Sequence, residues 1–204
     1  MSKPVIAIDI DDVIADTTDA IRLWGNALSG IEMTKEEYSI QGEYWGYYER
    51  VWEQKDLNGV LKFDDVEASI IADEVKVPLL AGASFAISEL QKEFHILLIT
   101  SRNPKLEPIT RQWLGEHFAG LDIQLYFAKN PKNDSGITKT KGQLCKELGA
   151  FLLIDDNVEH CQSVLDVGLE AVLFGDYGWQ PALPEGAVRC VDWPAVLEYV
   201  SGRQ

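Results

Sequence analysis

Four acidic residues stand close together near the start of the chain, in the stretch VIAIDIDDVIAD at residues 5–16. Asp9 and Asp11 directly follow an apolar run, and a second acidic pair, Asp155 and Asp156, follows the apolar run FLLI. Carboxylates are almost never fully buried without a partner, and carboxylates that converge raise one another's pKa values. A hard cation cancels that repulsion, and Mg²⁺ suits a site with few carboxylates and retained waters. The two pairs therefore indicate a metal site, if the fold brings them together.

Other polar residues follow the same pattern. Thr100, Ser101 and Arg102 end the apolar run FHILLI, and Lys141 stands near the start of a helical segment. Each has an ordinary explanation when taken alone, since an Asp after a strand is often a turn former or a helix N-cap. The ordered set of DxD, Thr-Ser, Lys and DD is hard to obtain from capping alone.

The remaining two acids of the opening stretch, Asp12 and Asp16, have a local explanation. We expect them to act as N-cap or first-turn acids of the following helix, where a negative charge is stabilised by the helix dipole.

Five short apolar runs predict buried strands, because they are continuous rather than alternating, as in a parallel sheet covered on both faces. The predicted strands are residues 4–9, 94–100, 122–128, 151–155 and 170–174. Apolar residues at helical spacing predict helices at 16–28, 82–94, 106–118, 140–149, 157–167 and 193–200. This order predicts an α/β fold with a doubly wound parallel sheet, in which ligands bind at the carboxyl ends of the strands. All the polar stretches then meet in one crevice.

Residues 30–78 interrupt the alternation of strands and helices. We expect a small, mainly helical cap here, inserted into a core made of residues 1–29 and 79–204. Six aromatic residues fall between Tyr38 and Trp52. Most should pack inside the cap, and a minority should line a pocket and stack on a flat ligand. The candidates for stacking are Trp24, Trp45, Tyr48 and Trp52.

The composition restricts the partners. The chain has 33 acidic against 18 basic residues and a net charge of −15, so it should repel nucleic acids and anionic membranes. It has no apolar run suited to a membrane span and no secretion signal at its start. Its three cysteines form no CxxC pair, which is typical of reduced thiols in a cytoplasmic protein. A small phosphate could bind only where a local cation reverses the charge.

Together, the motifs resemble those of the haloacid-dehalogenase-like superfamily of phosphohydrolases. VIAIDIDDV is similar to its strand-DxD motif, ILLITSR to its strand-Thr/Ser motif and LLIDDN to its strand-DD motif. Its motif lysine is best matched by Lys141, while Lys139, Lys132 and Lys129 stay open as alternatives. The motifs span residues 5–174. The short helical insert, TSR and LLIDD also resemble the 5'(3')-deoxyribonucleotidases and related nucleotidases.

The resemblance implies a catalytic role for four side chains. Asp9 would be the nucleophile that forms an aspartyl-phosphate, and Asp11 would be the general acid and then the general base. Thr100 would contact a phosphoryl oxygen, and Lys141 would neutralise charge on Asp9 and the phosphate.

The resemblance also implies Mg²⁺ as cofactor. The side chains of Asp9 and Asp155 and the backbone carbonyl of Asp11 would hold the ion, with Asp156 as an outer-sphere or water-mediated partner. The weaker candidates for substrate contact are Ser101, Arg102, Trp45 and Tyr48.

The implied substrate is a small phosphorylated metabolite, with a nucleoside monophosphate as the first expectation. The alternative is a phosphatase of a sugar phosphate or another metabolite. Two more distant alternatives are a receiver-like signalling domain and a catalytically idle phosphate-binding module. A receiver places its phosphoacceptor Asp in a later strand, before its Thr and Lys, so the motif order disfavours that class.

Overall fold

A six-stranded parallel sheet organises the computed structural model, which describes residues 3–40, 47–130 and 135–202, with the side chain of Tyr47 excepted. The strand order is β3-β2-β1-β4-β5-β6, and every neighbouring pair is parallel. The strands are β1 (Val5–Ile8), β2 (His95–Thr100), β3 (Gln124–Phe127), β4 (Ala150–Asp155), β5 (Glu170–Phe174) and β6 (Val188–Cys190).

Eight α-helices accompany the sheet in the described part of the chain. They are α1 (Thr17–Ser29), α2 (Tyr47–Gln54), α3 (Phe63–Ile71), α4 (Ala83–Glu93), α5 (Glu107–His117), α6 (Lys141–Leu148), α7 (Val158–Leu165) and α8 (Trp193–Ser201). Short 3₁₀ helices cover Glu36–Tyr38 and Pro104–Leu106. Among the helices described, the length and apolar character that a bilayer crossing demands are not met.

The predicted fold class is confirmed, and five of the six strands coincide with the predicted apolar runs. Strand β6 was not predicted, and it has only three residues with Arg189 at its centre. A strand this short at the edge of a sheet has no continuous apolar run by which to recognise it.

The order in which successive strands are added to the sheet reverses between β1 and β4. From β1 it proceeds outward through β2 and β3, and β4 then returns to the other side of β1 and continues through β5 and β6. Ile8 pairs with Ile154, and the next backbone amide, that of Asp9, donates to the carbonyl of Ile154. Asp9 and Asp155 therefore leave the two strands side by side, at the switch point where such sheets bind ligands.

Local capping places Lys141 at the first position of α6. Thr140 and Gln143 form a capping box, in which each side chain accepts from the backbone amide of the other residue. Gly149 ends the helix in the left-handed conformation, as the sequence indicated. Helix α6 also lies very close to α7 at Gly142. A Cβ atom added to this glycine would stand 1.9 Å from the carbonyl oxygen of Ser163.

Residues 30–78 share a hydrophobic cluster with helix α1, separate from the two clusters on the faces of the sheet. Helix α1 contributes Trp24 to this cluster, and α2 contributes the fully buried Trp52, whose ring nitrogen donates to Tyr38 Oη at 2.8 Å. Both tryptophans were predicted as candidates for base stacking. That expectation is wrong for them, because the cluster covers their rings and neither lines the cavity described below.

The close approach of α6 and α7 makes a testable prediction about Gly142. Gly142→Ala should lower the free energy of unfolding by about 1–3 kcal/mol or more, because the new methyl group would overlap backbone. Gly115→Ala in α5 is the matched control, since a Cβ there meets nothing within 4 Å. It should raise stability by about 0.5–1 kcal/mol. Urea unfolding measures both, and equal effects would contradict the packing argument.

Candidate active site

The ammonium group of Lys141 lies between two carboxylates at the ends of β1 and β4. Its Nζ is 2.7 Å from Asp9 Oδ1 and 2.7 Å from Asp155 Oδ2. The exposed fractions of Lys141, Asp9 and Asp155 are 1%, 5% and 0%. Lys141, at the start of a helix, thus joins two acids that lie 132 and 14 positions away in the sequence, as the ordered motifs predicted.

The competing lysines lie elsewhere. Lys139 is half exposed on the surface and pairs with Glu147, and Lys129 is exposed. Lys132 lies outside the described residues. Among the described lysines, only Lys141 contacts the acids at the strand ends.

The electrostatics of the three groups follow from burial and from their mutual charges. Burial lowers the pKa of Lys141, but Asp155 and Asp9 raise it more, so the lysine stays a cation. Burial raises the pKa of Asp155, but Lys141 and His160 outweigh it and bring the value to about 2. Burial raises the pKa of Asp9 to about 8, against the opposing charge of Lys141, with Asp155 and Asp11 adding to the rise. The neighbouring charges therefore hold Asp155 in its ionised form but do not do so for Asp9.

Asp11 is held by a guanidinium group. Arg102 Nε lies 3.1 and 3.0 Å from the two oxygens of Asp11, and Arg102 Nη2 lies 2.7 Å from Oδ1. The hydroxyl of Thr17 donates to the same oxygen at 2.6 Å. Burial raises the pKa of Asp11, but Arg102 and Thr17 together hold it below its usual value. In this arrangement Asp11 is a carboxylate, the form of a general base.

The second motif lies beside this pair. Thr100 is completely buried, and its hydroxyl accepts from the backbone amide of Arg102 at 3.1 Å. Arg102 also donates to Thr110 Oγ1, so its predicted contact with substrate competes with two partners inside the protein. Ser101 lines the cavity, and its hydroxyl lies 3.3 Å from the carbonyl oxygen of Lys129.

Asp12 and Asp16 have different roles from each other. Asp12 adopts a left-handed backbone with φ of 55°, and its carboxylate accepts from the amide and the hydroxyl of Thr18 in the first turn of α1. Asp16 stands at the N-cap position but makes no capping hydrogen bond with its side chain. Asp16 thus occupies the predicted N-cap position, while the side-chain contacts to the first turn come from Asp12. Burial raises the pKa of Asp12 to about 7, because its hydrogen bonds to Thr18 only partly offset desolvation.

Asp156 turns away from Lys141 into a network with the loop after β5. Its Oδ2 accepts from Trp179 Nε1 at 3.0 Å, and its carbonyl accepts from Gln180 at 2.8 Å. Burial raises its pKa well above the usual range, and the charges of Asp12 and Asp155 add to the rise. Its carboxylate lies outside the group of potential metal ligands formed by described residues.

That group contains a residue the sequence analysis missed. One ligand atom each from Asp9, Asp155 and His160 lie within 4.8 Å of one another. His160 is in the first turn of α7, and its Nδ1 is 3.2 Å from Asp155 Oδ1. Burial lowers the pKa of His160, and Lys141 acts in the same direction. The signal was a histidine one helical turn after the DD pair, which is too common in helices to single out unaided.

A cavity of about 300 Å³ opens above Asp9, between the sheet and the insert. Tyr48 and Phe63 form part of its wall from the insert, with stacked rings whose centroids are 6.1 Å apart. The insert also contributes the carboxylates of Glu49, Asp64 and Glu67. Trp45, the other predicted aromatic contact, lies outside the described residues.

The buried ion pairs generate a prediction about stability. Lys141→Met should lower the free energy of unfolding by about 3 kcal/mol or more in EDTA, because it leaves two buried carboxylates without their cation. Lys139→Met removes a surface ion pair and should change stability by less than about 0.5 kcal/mol. Denaturant unfolding at neutral pH measures both. Comparable losses would show that the ammonium of Lys141 does not neutralise the site.

Comparison with known proteins places the fold. No protein-family model and no curated protein matches the chain. A predicted phosphoglycolate phosphatase from Haemophilus somnus is 13% identical, with a TM-score of 0.62 over 98% of this chain and 99% of that one. A candidate beta-phosphoglucomutase from Thermotoga maritima is 17% identical, with a TM-score of 0.59 over 98% and 100%.

YfnB from Bacillus subtilis, a HAD-type protein whose structure contains magnesium, is 17% identical, with a TM-score of 0.57 over 98% of this chain and 99% of its own. These similarities extend over almost the whole length of both partners in each case. The chain therefore has the α/β fold of the haloacid-dehalogenase-like hydrolases.

Proposed function

We propose that this protein is a Mg²⁺-dependent phosphomonoester hydrolase of the haloacid-dehalogenase type, acting through an aspartyl-phosphate. The observation that carries the proposal is the contact of Lys141 with both Asp9 and Asp155, directly below the cavity. A lysine in this position neutralises the charge that builds on a carboxylate nucleophile and on a transferring phosphoryl group.

In the first step, a carboxylate oxygen of Asp9 attacks phosphorus and forms a P–O bond while the bond from phosphorus to the leaving oxygen breaks. Asp11, in its protonated form, gives its proton to that oxygen. In the second step, water attacks phosphorus, Asp11 takes a proton from the water, and the bond to Asp9 breaks. Asp11 must therefore exchange its bond with Arg102 for a proton before the first step. It is ionised between the two steps, and the second step returns its proton.

The acidic side chains at the ends of β1 and β4 are suited to bind a divalent cation. Asp9 Oδ1 is buried and makes no hydrogen bond to a described residue, because its approach to Lys141 is that of an ion pair without hydrogen-bond geometry. The side chains of Asp9 and Asp155 and the carbonyl of Asp11 would hold the ion, with Asp156 beyond them. When bound, Mg²⁺ supplies charge stabilisation to the phosphoryl oxygens and restores the ionised form of Asp9.

The insert of residues 30–78 is proposed to be the cap that closes over the cavity and selects the leaving group. Its carboxylates Glu49, Asp64 and Glu67 can accept hydrogen bonds from hydroxyl groups and would repel a second anion. A sugar phosphate or a similar polyhydroxy phosphate fits this wall best. The candidate phosphoglucomutase among the structural neighbours agrees with that substrate class.

A nucleoside monophosphate is the second candidate. The stacked rings of Tyr48 and Phe63 favour it, since aromatic faces bind flat bases. Trp24 and Trp52 are buried in the cluster that α1 shares with residues 30–78, and this disfavours a nucleoside monophosphate because neither ring can stack on a base.

The reaction itself is tested by phosphate release. Asp9→Asn should reduce hydrolysis of a generic aryl phosphate by at least about 10³-fold, because an amide is a poor nucleophile. EDTA should abolish hydrolysis, and added Mg²⁺ should restore it. Asp166→Asn, at the exposed C-terminal end of α7, is the control and should retain wild-type activity. Activity that persists in Asp9→Asn would overturn the mechanism.

The substrate class is tested by a panel of monoesters at fixed Mg²⁺. The values of kcat/KM should be highest for hexose and pentose phosphates. The kcat/KM for phosphoglycolate should be lower, because its leaving group brings a carboxylate to the acidic wall of the cavity. Glu67→Gln with Asp64→Asn should raise kcat/KM for phosphoglycolate relative to a sugar phosphate. A preference for nucleoside monophosphates in the same panel would favour the second candidate.

A further inference from the structure

His160 has no part in the hydrolytic steps described above, although it lies beside them. Its Nδ1 faces Asp155 Oδ1 at 3.2 Å, and its Nε2 faces Ser101 Oγ at 3.4 Å. Both acids next to it, Asp9 and Asp155, are almost completely buried, so an imidazole here is a feature of the site and not of the surface.

The hydrogen bonds of Ser101 bear on which ring nitrogen carries the hydrogen. A serine hydroxyl has one hydrogen to donate. When Ser101 Oγ donates to the carbonyl of Lys129, 3.3 Å away, its lone pair accepts from His160 Nε2. In this tautomer the lone pair of Nδ1 points toward Asp155 Oδ1, and a cation shared by the two groups takes the place of the hydrogen that Nδ1 donates to the carboxylate in the other tautomer. Metal-binding histidines commonly donate their second ring N–H to a neighbouring oxygen in this way.

The spacing of the atoms also fits coordination of one ion. Two ligand atoms at about 2.1 Å from a metal and at right angles lie about 3 Å apart, and opposite ligands lie about 4.2 Å apart. Nδ1 of His160 and Oδ1 of Asp155 are separated by 3.2 Å, and the whole set with Asp9 lies within 4.8 Å. A contraction of a few tenths of an ångström brings the three atoms to the geometry of shared ligands.

We propose that His160 Nδ1 is a direct ligand of the ion held by Asp9 and Asp155. The proposal rests on the proposed function for the use of that ion in hydrolysis. A nitrogen ligand favours Co²⁺, Ni²⁺ or Zn²⁺ over Mg²⁺, which prefers oxygen donors. The site therefore binds a first-row transition metal more tightly than Mg²⁺, even where Mg²⁺ supports activity.

The direct test is pulsed electron paramagnetic resonance of Mn²⁺ bound to the full chain. Protein grown with ¹⁵N-histidine should show hyperfine coupling to ¹⁵N, and unlabelled protein should show coupling to ¹⁴N. Of the three histidines in the chain, His160 is the one at the site. An Mn²⁺ spectrum without histidine coupling in the wild-type protein overturns the proposal without the need of any variant.

Calorimetric titration with Co²⁺ and with Mg²⁺ gives the second test. His160→Gln should weaken Co²⁺ binding by about tenfold or more and should change Mg²⁺ binding less. His160→Asp offers an oxygen ligand instead and should shift the preference toward Mg²⁺. The matched control is His95→Gln, at the exposed start of β2, and it should leave both affinities unchanged. An unaltered ratio of Co²⁺ to Mg²⁺ affinity in both His160 variants, each shown to be folded by circular dichroism, overturns the proposal.

These outcomes separate this inference from the proposed function. If Asp9→Asn abolishes hydrolysis while the metal preference of His160→Gln equals that of the wild type, the ligand assignment fails and the hydrolase stands. If Mn²⁺ shows histidine coupling but no phosphomonoester is hydrolysed, the ligand assignment stands and the hydrolase fails.

Discussion

The placement of one ammonium group between two buried carboxylates constrains the architecture of this protein. Removing a charge from water costs several kcal/mol, and the cost is offset only when the partner charges are held at close distance. Lys141 meets Asp9 and Asp155 at 2.7 Å because several features agree. The register of β1 and β4 sets the acids side by side, a capping box begins α6 at the lysine, and Gly142 lets α6 approach α7.

A consequence is that the acids of the site differ in charge state although they lie within one crevice. Lys141 holds the pKa of Asp155 near 2, and Arg102 keeps that of Asp11 below its usual value. Asp9 and Asp12, which burial dominates, have pKa values raised to about 8 and about 7. Separate environments for chemically identical groups are how one site provides both a carboxylate base and a group whose ionisation depends on a bound cation.

The sequence predicted those parts of the site that follow from short-range rules. Apolar runs located the strands, and a polar residue directly after such a run lies at the sheet edge wherever the sheet is parallel. Side-chain partners did not follow, because they depend on distances that only the tertiary structure determines. Arg102 reaches Asp11 across 91 positions and Trp179 reaches Asp156 across 23, and neither pairing has a local signature. Trp24 and Trp52 were misjudged for the same reason, since aromatic residues have the same spacing in the sequence whether they pack inward or line a pocket.

The balance of charge at the crevice makes a cation necessary for the proposed chemistry. Among the described residues, five buried or half-buried aspartates, Asp9, Asp11, Asp12, Asp155 and Asp156, face only two basic groups, Lys141 and Arg102. Both basic groups already contact acids, so neither brings unmatched positive charge to an incoming phosphate. A phosphoryl dianion would therefore meet no unmatched positive charge at this site, in a chain whose net charge is −15. A divalent ion among Asp9, Asp155 and His160 would supply positive charge at the point where phosphorus must lie, so the proposed chemistry would need the metal first for substrate binding and only then for catalysis.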